Sequence, residues 1–215
     1  MILLAVDTSH TRGSLAIAQL KDNVWTQLAY RSWQKKAMHS EVATVEVQSA
    51  LLDAGLNLRQ ISHLAVNVGP GSFTGLRVGL NLVRTLAYSL DLPVAIFNSL
   101  ELVAWREASV SECILVANKA VQNFYYVAAY AKENSSELVT RLEPQSVEDS
   151  RLSELKSSLH ASKIQVESPT DARDIVLFLD QSAVQRRFFS WQDVKPLYIR
   201  GSEAEEKLKR GLLRQ

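Results

Sequence analysis

The residues with the most chemical content are a carboxylate, Asp7, in Ala5-Val6-Asp7-Thr8-Ser9, and a glycine turn, Asn67-Val68-Gly69-Pro70-Gly71-Ser72-Phe73-Thr74-Gly75-Leu76-Arg77-Val78-Gly79. A carboxylate at a strand end is suited to a magnesium-bound phosphate, and glycines flanking a proline let the backbone turn sharply where a helix begins. The first amides of that helix, capped by Ser72 or Thr74, lack intrahelical acceptors and fit an anion, a carboxylate or a neighbouring chain's carbonyl. Asp7, Gly69, Gly71 and Ser72 are therefore the candidate phosphate-binding residues. Against this, Asp-Thr-Ser makes self-bonded turns in unrelated loops, and a structural role for Asp7 is the commoner outcome.

Other chemistries are poorly served. His10, His39, His63 and His160 are dispersed and form no pair at metal-ligand spacing. Ser9 and Ser72 have no recognisable base and orienting acid nearby. The single cysteine, Cys113, excludes an internal disulfide framework and a multi-cysteine metal site, and is expected to be a small core residue. Lys and Arg number 24 against 23 Asp and Glu, so the chain has no overall footprint for nucleic acid, and RNA contact needs a local patch or a partner. Local candidates are Arg77 and Arg84 on one helix face, and the tail residues Lys207, Lys209, Arg210 and Arg214. The first apolar run, 2–6, ends at Asp7 and is too short for a signal peptide or a membrane span, which predicts a soluble, cytoplasmic protein.

The elements that must position these residues follow from periodicity. Strands are expected at 2–6, 14–19 and 24–32, a helix at 40–54 stopped by Gly55, a strand at 61–68, the glycine turn with its helix at 74–90, a strand at 92–97 and a helix at 99–108. The remainder repeats this more weakly: strands at 113–117, 124–130 and 138–142, a helix at 147–159, a strand at 164–166, a helix at 172–185, a strand end at 196–199 and a terminal helix at 203–213. Two β-β-β-α-β-α halves, 1–108 and 109–215, make an α/β chain of the actin-like, sugar-kinase-like kind with a degenerate second half. In that fold a nucleotide lies between the halves and each supplies a phosphate turn. Here residues 80–200 contain no glycine, so half of such a site is missing.

Both long helices of the first half carry more apolar surface than one sheet requires. Val42, Val45, Ser49 and Leu52 form one stripe beside Val47, Ala50, Leu51 and Ala54. In the second helix Leu76, Leu80, Val83, Ala87 and Leu90 lie beside Val78, Leu82 and Leu86, with Gly71, Gly75 and Gly79 at a spacing of four. One reading is a helix pair central to its own domain. The other is an association surface formed by Val42, Val45, Ser49, Leu52, Gly75, Val78, Gly79, Leu82 and Leu86, with the glycines admitting a partner helix at short range.

The glycine stretch closely resembles the signature of the bacterial TsaB (YeaZ) family. Ala5-Val6-Asp7-Thr8-Ser9, His39-Ser40-Glu41, and Pro196-Leu197-Tyr198-Ile199-Arg200 followed by Ala204 match as well, so the resemblance spans nearly the whole chain. It implies a non-catalytic subunit, without cofactor or metal, of the machinery that forms threonylcarbamoyladenosine beside the anticodon of tRNAs reading codons that begin with A. It further implies association with the catalytic, metal-binding paralogue TsaD and, through that pair, the ATPase TsaE. A homodimer is expected when the chain is alone, and tRNA contact only through the complex. One departure stands out: the family's Asp-Ala-Arg followed by Tyr is here Asn118-Lys119-Ala120-Val121-Gln122-Asn123-Phe124-Tyr125, which keeps a tyrosine and loses the acid and the arginine. Residues 131–167 carry no family motif. The alternative is a catalytic ATPase or small-molecule kinase of the same fold using Asp7 and the glycine turn; a peptidase lacks any visible catalytic set.

Overall fold

The computed structural model describes residues 1–34, 39–134, 137–179 and 188–199. A first sheet contains β1 (Ile2–Asp7), β2 (Gly13–Lys21), β3 (Val24–Trp33), β4 (His63–Asn67), β5 (Val94–Phe97) and β10 (Phe188–Phe189), in the order β10-β5-β4-β1-β2-β3. The meander β1-β2-β3 is antiparallel, whereas β4 pairs parallel with both β1 and β5. Leu3, Leu4, Ala5 and Val6 are completely buried, as an unbroken apolar run should be in a central strand covered on both faces.

Two layers cover β1. Leu4 and Val6 pack with α1 (His39–Asp53) and α2 (Phe73–Leu90), whose Ala43, Val47, Ala50, Leu76, Leu80, Val83 and Ala87 fill that core. Leu3 and Ala5 face the opposite way, onto α5 (Ala172–Phe178) with its Ile175 and Phe178. The chain thus returns from the second half to close the first sheet.

The second sheet holds β6 (Cys113–Lys119), β7 (Phe124–Asn134), β8 (Glu137–Glu148) and β9 (Lys163–Val166) in the order β8-β7-β6-β9, again an antiparallel meander with a parallel crossover strand. The repeat gives the chain the actin-like duplicated α/β fold. Between the sheets lies α3 (Ser99–Glu107), which sets Leu100, Val103 and Ala104 on Ile114, Val116 and Ala128. The crossover helix α4 (Leu152–Ser158) buries Leu152 against Leu115 and Ala117 on the other face.

Several expectations need correction. The third strand of the second meander does not stop at 142 but runs to Glu148, and the following helix starts at Leu152 after a 3-10 turn rather than at 147. Pro144 does not end the strand because β8 lies at a sheet edge and its pairing with β7 shifts register between Val127 and Ala129, so no ladder amide is needed there. Residues 196–199 form no strand; they cross the glycine turn as a strap, with Leu197 N–H donating to Val68 O at 2.9 Å. The short strand β10, antiparallel to β5, was not expected from the sequence. Cys113 is half-buried rather than a core residue; burial pushes its thiol up and Arg141 only partly opposes this, which disfavours the nucleophilic thiolate. The helix expected at 172–185 is shorter, ending at Phe178 where the C-cap Leu179 leaves helical dihedrals; the expected helix at 203–213, the tail cations, Arg200 and Ala204 lie outside the described residues. Among the described residues no helix is long and apolar enough to cross a membrane.

A polar network ties α3 to α5. Arg106 donates from Nη1 to Asp174 Oδ2 at 2.8 Å and to Pro169 O at 3.3 Å, and from Nη2 to Ser168 Oγ. Asp171 caps α5, its N–H donating to Asp174 Oδ2 at 2.9 Å. Burial pushes the Asp174 carboxyl up, and the adjacent Arg106 guanidinium works against that rise without cancelling it. Arg106→Ala therefore leaves a buried carboxylate with its cation gone and should cost about 2 kcal/mol at neutral pH. Because a raised carboxyl pKa means that the folded state prefers the protonated form, the loss should shrink as pH falls through the Asp174 titration. Thermal unfolding of the variant and the parent at neutral and mildly acidic pH measures this; an equal loss at both would disprove it.

Candidate functional site

The β1–β2 turn and the glycine turn meet where the adjacent parallel strands β1 and β4 end. Asp7, the last residue of β1, is 1 % exposed. Its Oδ1 accepts from Ser9 N–H at 2.8 Å and from Ser9 Oγ at 2.6 Å. Its Oδ2 accepts from Asn67 Nδ2 at 2.8 Å and from Thr170 Oγ1 at 2.7 Å. A carboxylate has about four lone-pair sites. Here donors from β1–β2, β4 and the approach to α5 occupy them. Asn67 is held in turn: its Oδ1 accepts from Gly69 N–H at 2.9 Å and Ser99 Oγ at 3.1 Å.

The start of α2 is filled in the same way. Ser72 is the N-cap, its hydroxyl accepting from Gly75 N–H at 3.3 Å, while its own N–H donates to Ser9 O at 2.6 Å. Gly71 lies against that same carbonyl, and Gly69 O accepts from Ser99 N–H at 2.8 Å. The acceptor at the N-cap amide is thus a carbonyl of this chain itself, which was not among the anion, carboxylate or neighbouring chain's carbonyl expected from the sequence. Thr8 completes the junction, its Oγ1 donating to Gly75 O at 2.7 Å and accepting from Gly79 N–H at 3.1 Å. A Cβ on Gly75 would stand 2.1 Å from Thr8 O and one on Gly79 would stand 2.3 Å from Thr8 Oγ1. Both glycines, expected to admit a partner helix, instead face this chain's own first turn.

Asp7, Gly69, Gly71 and Ser72 are thus brought together, with Thr8, Asn67, Ser99 and Thr170 added to them. Asn67 opens the glycine motif and was within reach of a sequence reading. Thr170 is 163 residues from Asp7 and carries no local signal. In the second half the equivalent strand end, after Ala117, carries the buried amide Asn118, which supplies no charge for a cation. His10, His63 and His160 stay apart, and no cluster of metal-ligating side chains occurs among the described residues.

The remaining candidates lie on the outside of α1 and α2, which pack side by side. Val45 is 59 % exposed and Leu52 73 %, while Val42, Ser49, Val78, Leu82 and Leu86 are half-buried. The inner stripes fill the chain's own core, and the outer ones leave apolar area uncovered.

Two substitutions test the junction. Asp7→Ala removes the acceptor of four buried donor groups and should destabilise the fold by about 3 kcal/mol or more. Gly75→Ala places a methyl against a backbone carbonyl that has no room to yield, with a cost of at least about 3 kcal/mol. Urea unfolding of each reads the effect; stability like that of the parent would show that the junction is open.

The chain matches the family model "TsaD: tRNA N6-adenosine threonylcarbamoyltransferase" over residues 34–194. It is 40 % identical over 104 residues to the tRNA threonylcarbamoyladenosine biosynthesis protein TsaB of Bacillus subtilis, covering 48 % of this chain and 44 % of that protein. To the TsaB protein of Haemophilus influenzae it is 32 % identical over 136 residues, 62 % of this chain and 55 % of the relative. The chain spans about half the length of these curated relatives. In structure it is similar to YeaZ from Pseudomonas aeruginosa, with a TM-score of 0.73 at 20 % identity over 92 % of this chain and all of the other, a likeness of fold. Since the matched family segment takes in well over half of the residues, the chain belongs to this threonylcarbamoyltransferase family, on its TsaB (YeaZ) branch.

Proposed function

We propose that this protein is a non-catalytic, activating subunit of the assembly that forms N6-threonylcarbamoyladenosine next to the anticodon of tRNAs reading codons that begin with A. The observation that carries this reading is the Asp7 carboxylate, whose acceptor positions are taken by Ser9, Asn67 and Thr170. In a catalytic relative of this fold those positions would face a metal-bound phosphate. The Ser9 carbonyl on the amide of Ser72, the N-cap of α2, and the lack of glycine in 80–200 support the same conclusion.

The protein acts by binding the catalytic paralogue TsaD through the outer faces of α1 and α2. Val42, Val45, Ser49 and Leu52 supply one part of that surface and Val78, Leu82 and Leu86 the other; the surface pairs with a second copy when TsaD is absent. Gly75 and Gly79 support it indirectly, by seating α2 on Thr8. TsaE joins the pair, tRNA is reached through the assembly, and the setting is the cytoplasm. Residues 1–108 carry the contact surface, and 109–215 close the first sheet and steady it.

The competing reading is an ATPase or small-molecule kinase that keeps Asp7 as its magnesium ligand. The purified chain should hydrolyse neither ATP nor peptides; ATP turnover that disappears in a folded Asp7→Asn variant would favour the kinase instead. The binding surface is tested with Val45→Asp combined with Leu52→Asp, two exposed sites where charge costs the monomer little. The variant should keep its circular dichroism spectrum and melting temperature and lose affinity for TsaD by about 100-fold, since charge is forced into an apolar contact. Unchanged affinity in sedimentation would remove this surface from the proposal.

A further inference from the structure

A third face of α2 is used neither by the core nor by the proposed contact with TsaD. Arg77, Asn81, Arg84 and Tyr88 follow one another at i, i+4, i+7 and i+11, one row along the helix. At 100° per residue that row lies about 130° around the helix from Val78, Leu82 and Leu86. A partner seated on those residues therefore leaves the row open. Beside it the strap 194–198 rises to form a groove of about 360 Å³, with the buried Leu80 and Val194 beneath and Pro196 and Tyr198 along the far wall.

The groove is cationic, and its cations are held in place by aromatic rings. Arg77 Cζ lies 3.9 Å from the centroid of Phe73, and Arg77 Nε donates to Tyr198 Oη at 3.3 Å. The Phe73 and Tyr198 rings are 5.2 Å apart. Two helical turns on, Arg84 Cζ lies 5.8 Å from the Trp191 ring, which meets Tyr88 edge-on at 5.2 Å. Among the described residues neither guanidinium has a carboxylate partner, unlike Arg31, Arg106, Arg141, Arg151 and Arg173. Asp193 and Lys195, both exposed and neither part of the lining, flank Val194 with opposite charges, so Arg77 and Arg84 are the cations of the groove. Two unpaired, pre-oriented guanidinium groups about 10 Å apart along the helix are a receptor for successive anionic groups.

We propose that this groove binds the phosphate backbone of a single-stranded RNA segment, with Arg77 and Arg84 on phosphates and the flanking rings offered to bases. An acidic peptide would satisfy the arginines and leave the aromatic surface unused. Yet Tyr198, 45 % exposed, lines the groove, and the exposed rings of Phe73 and Tyr88 adjoin it through Tyr198 and through Trp191, the ring beside Arg84; unstacked bases are an anionic polymer's natural partners for such rings. The choice of RNA also rests on the proposed place of this protein in tRNA modification. A contact of two cations is weak alone, and becomes useful when the assembly holds the RNA nearby.

The test uses the isolated chain, so that its outcome is independent of whether the protein binds TsaD. Fluorescence anisotropy at about 50 mM salt compares a labelled single-stranded RNA of mixed sequence with labelled polyglutamate, for the parent, Arg84→Ala and Arg77→Ala/Arg84→Ala. Arg84 makes no hydrogen bond to the strap among the described contacts, so the single variant remains informative if the double variant loosens Tyr198. The parent should bind the RNA weakly, with Kd of about 10⁻⁴ M, and polyglutamate more weakly still. The double variant should lose about tenfold, and its log–log salt slope should be shallower by about 1.4, half of that for Arg84→Ala. RNA binding unchanged in both variants would overturn the proposal. Polyglutamate bound as tightly as RNA, with the same loss in the variants, would overturn it too and make the groove a dock for an acidic protein segment.

Discussion

A buried carboxylate must be compensated by hydrogen bonds, and the rest of this structure is arranged around how Asp7 meets that requirement. An ionised group removed from water without donors would take up a proton or unfold its surroundings. Asp7 finds its donors in Ser9, Asn67 and Thr170, residues from three separate parts of the chain. The end of β1, the end of β4 and the approach to α5 are therefore held at one point. Asn67 passes the constraint on to Gly69 and Ser99, so α2 and α3 depart from the same node.

The consequence for chemistry is direct. The oxygens of Asp7 accept four hydrogen bonds from its own chain, and the N–H of the adjacent N-cap Ser72 donates to Ser9 O. The two halves meet through apolar contacts of α3 and α5, and Arg106 with Asp174 adds a polar seam along those two helices. The fold is the actin-like duplicated one, and Asp7, Asn67 and Ser72 tie its first turn to the starts of α2 and α3.

The surfaces of α2 divide by angle. Leu76, Leu80, Val83 and Ala87 enter the core, and Gly75 and Gly79 press against Thr8. Val78, Leu82 and Leu86 sit half-covered on another side. Arg77, Asn81 and Arg84 border the strap at 194–198. A helix with so many obligations tolerates few substitutions, which gives a physical reason for the length of the motif that opens it.

Much of the fold was legible in the sequence because it is written in local periodicity. The continuous run of β1, the stop at Gly55, the Ser72 cap and the repeat of meander and crossover each follow from residues close together. The family was legible too, through the glycine motif. The course of β8 past Pro144 was not, since only its position at a sheet edge makes a proline acceptable there. Nor was the role of the glycines: spacing showed a stripe of α2 without side chains, and tertiary packing decided that Thr8, rather than a partner, fills it. The sequence by itself determined which residues cluster on which helix face and at which strand end. Only the tertiary structure decided that Thr170 would reach Asp7 from 163 residues away, because a hydrogen bond between distant segments depends on the whole chain's path and leaves no trace in the neighbourhood of either residue.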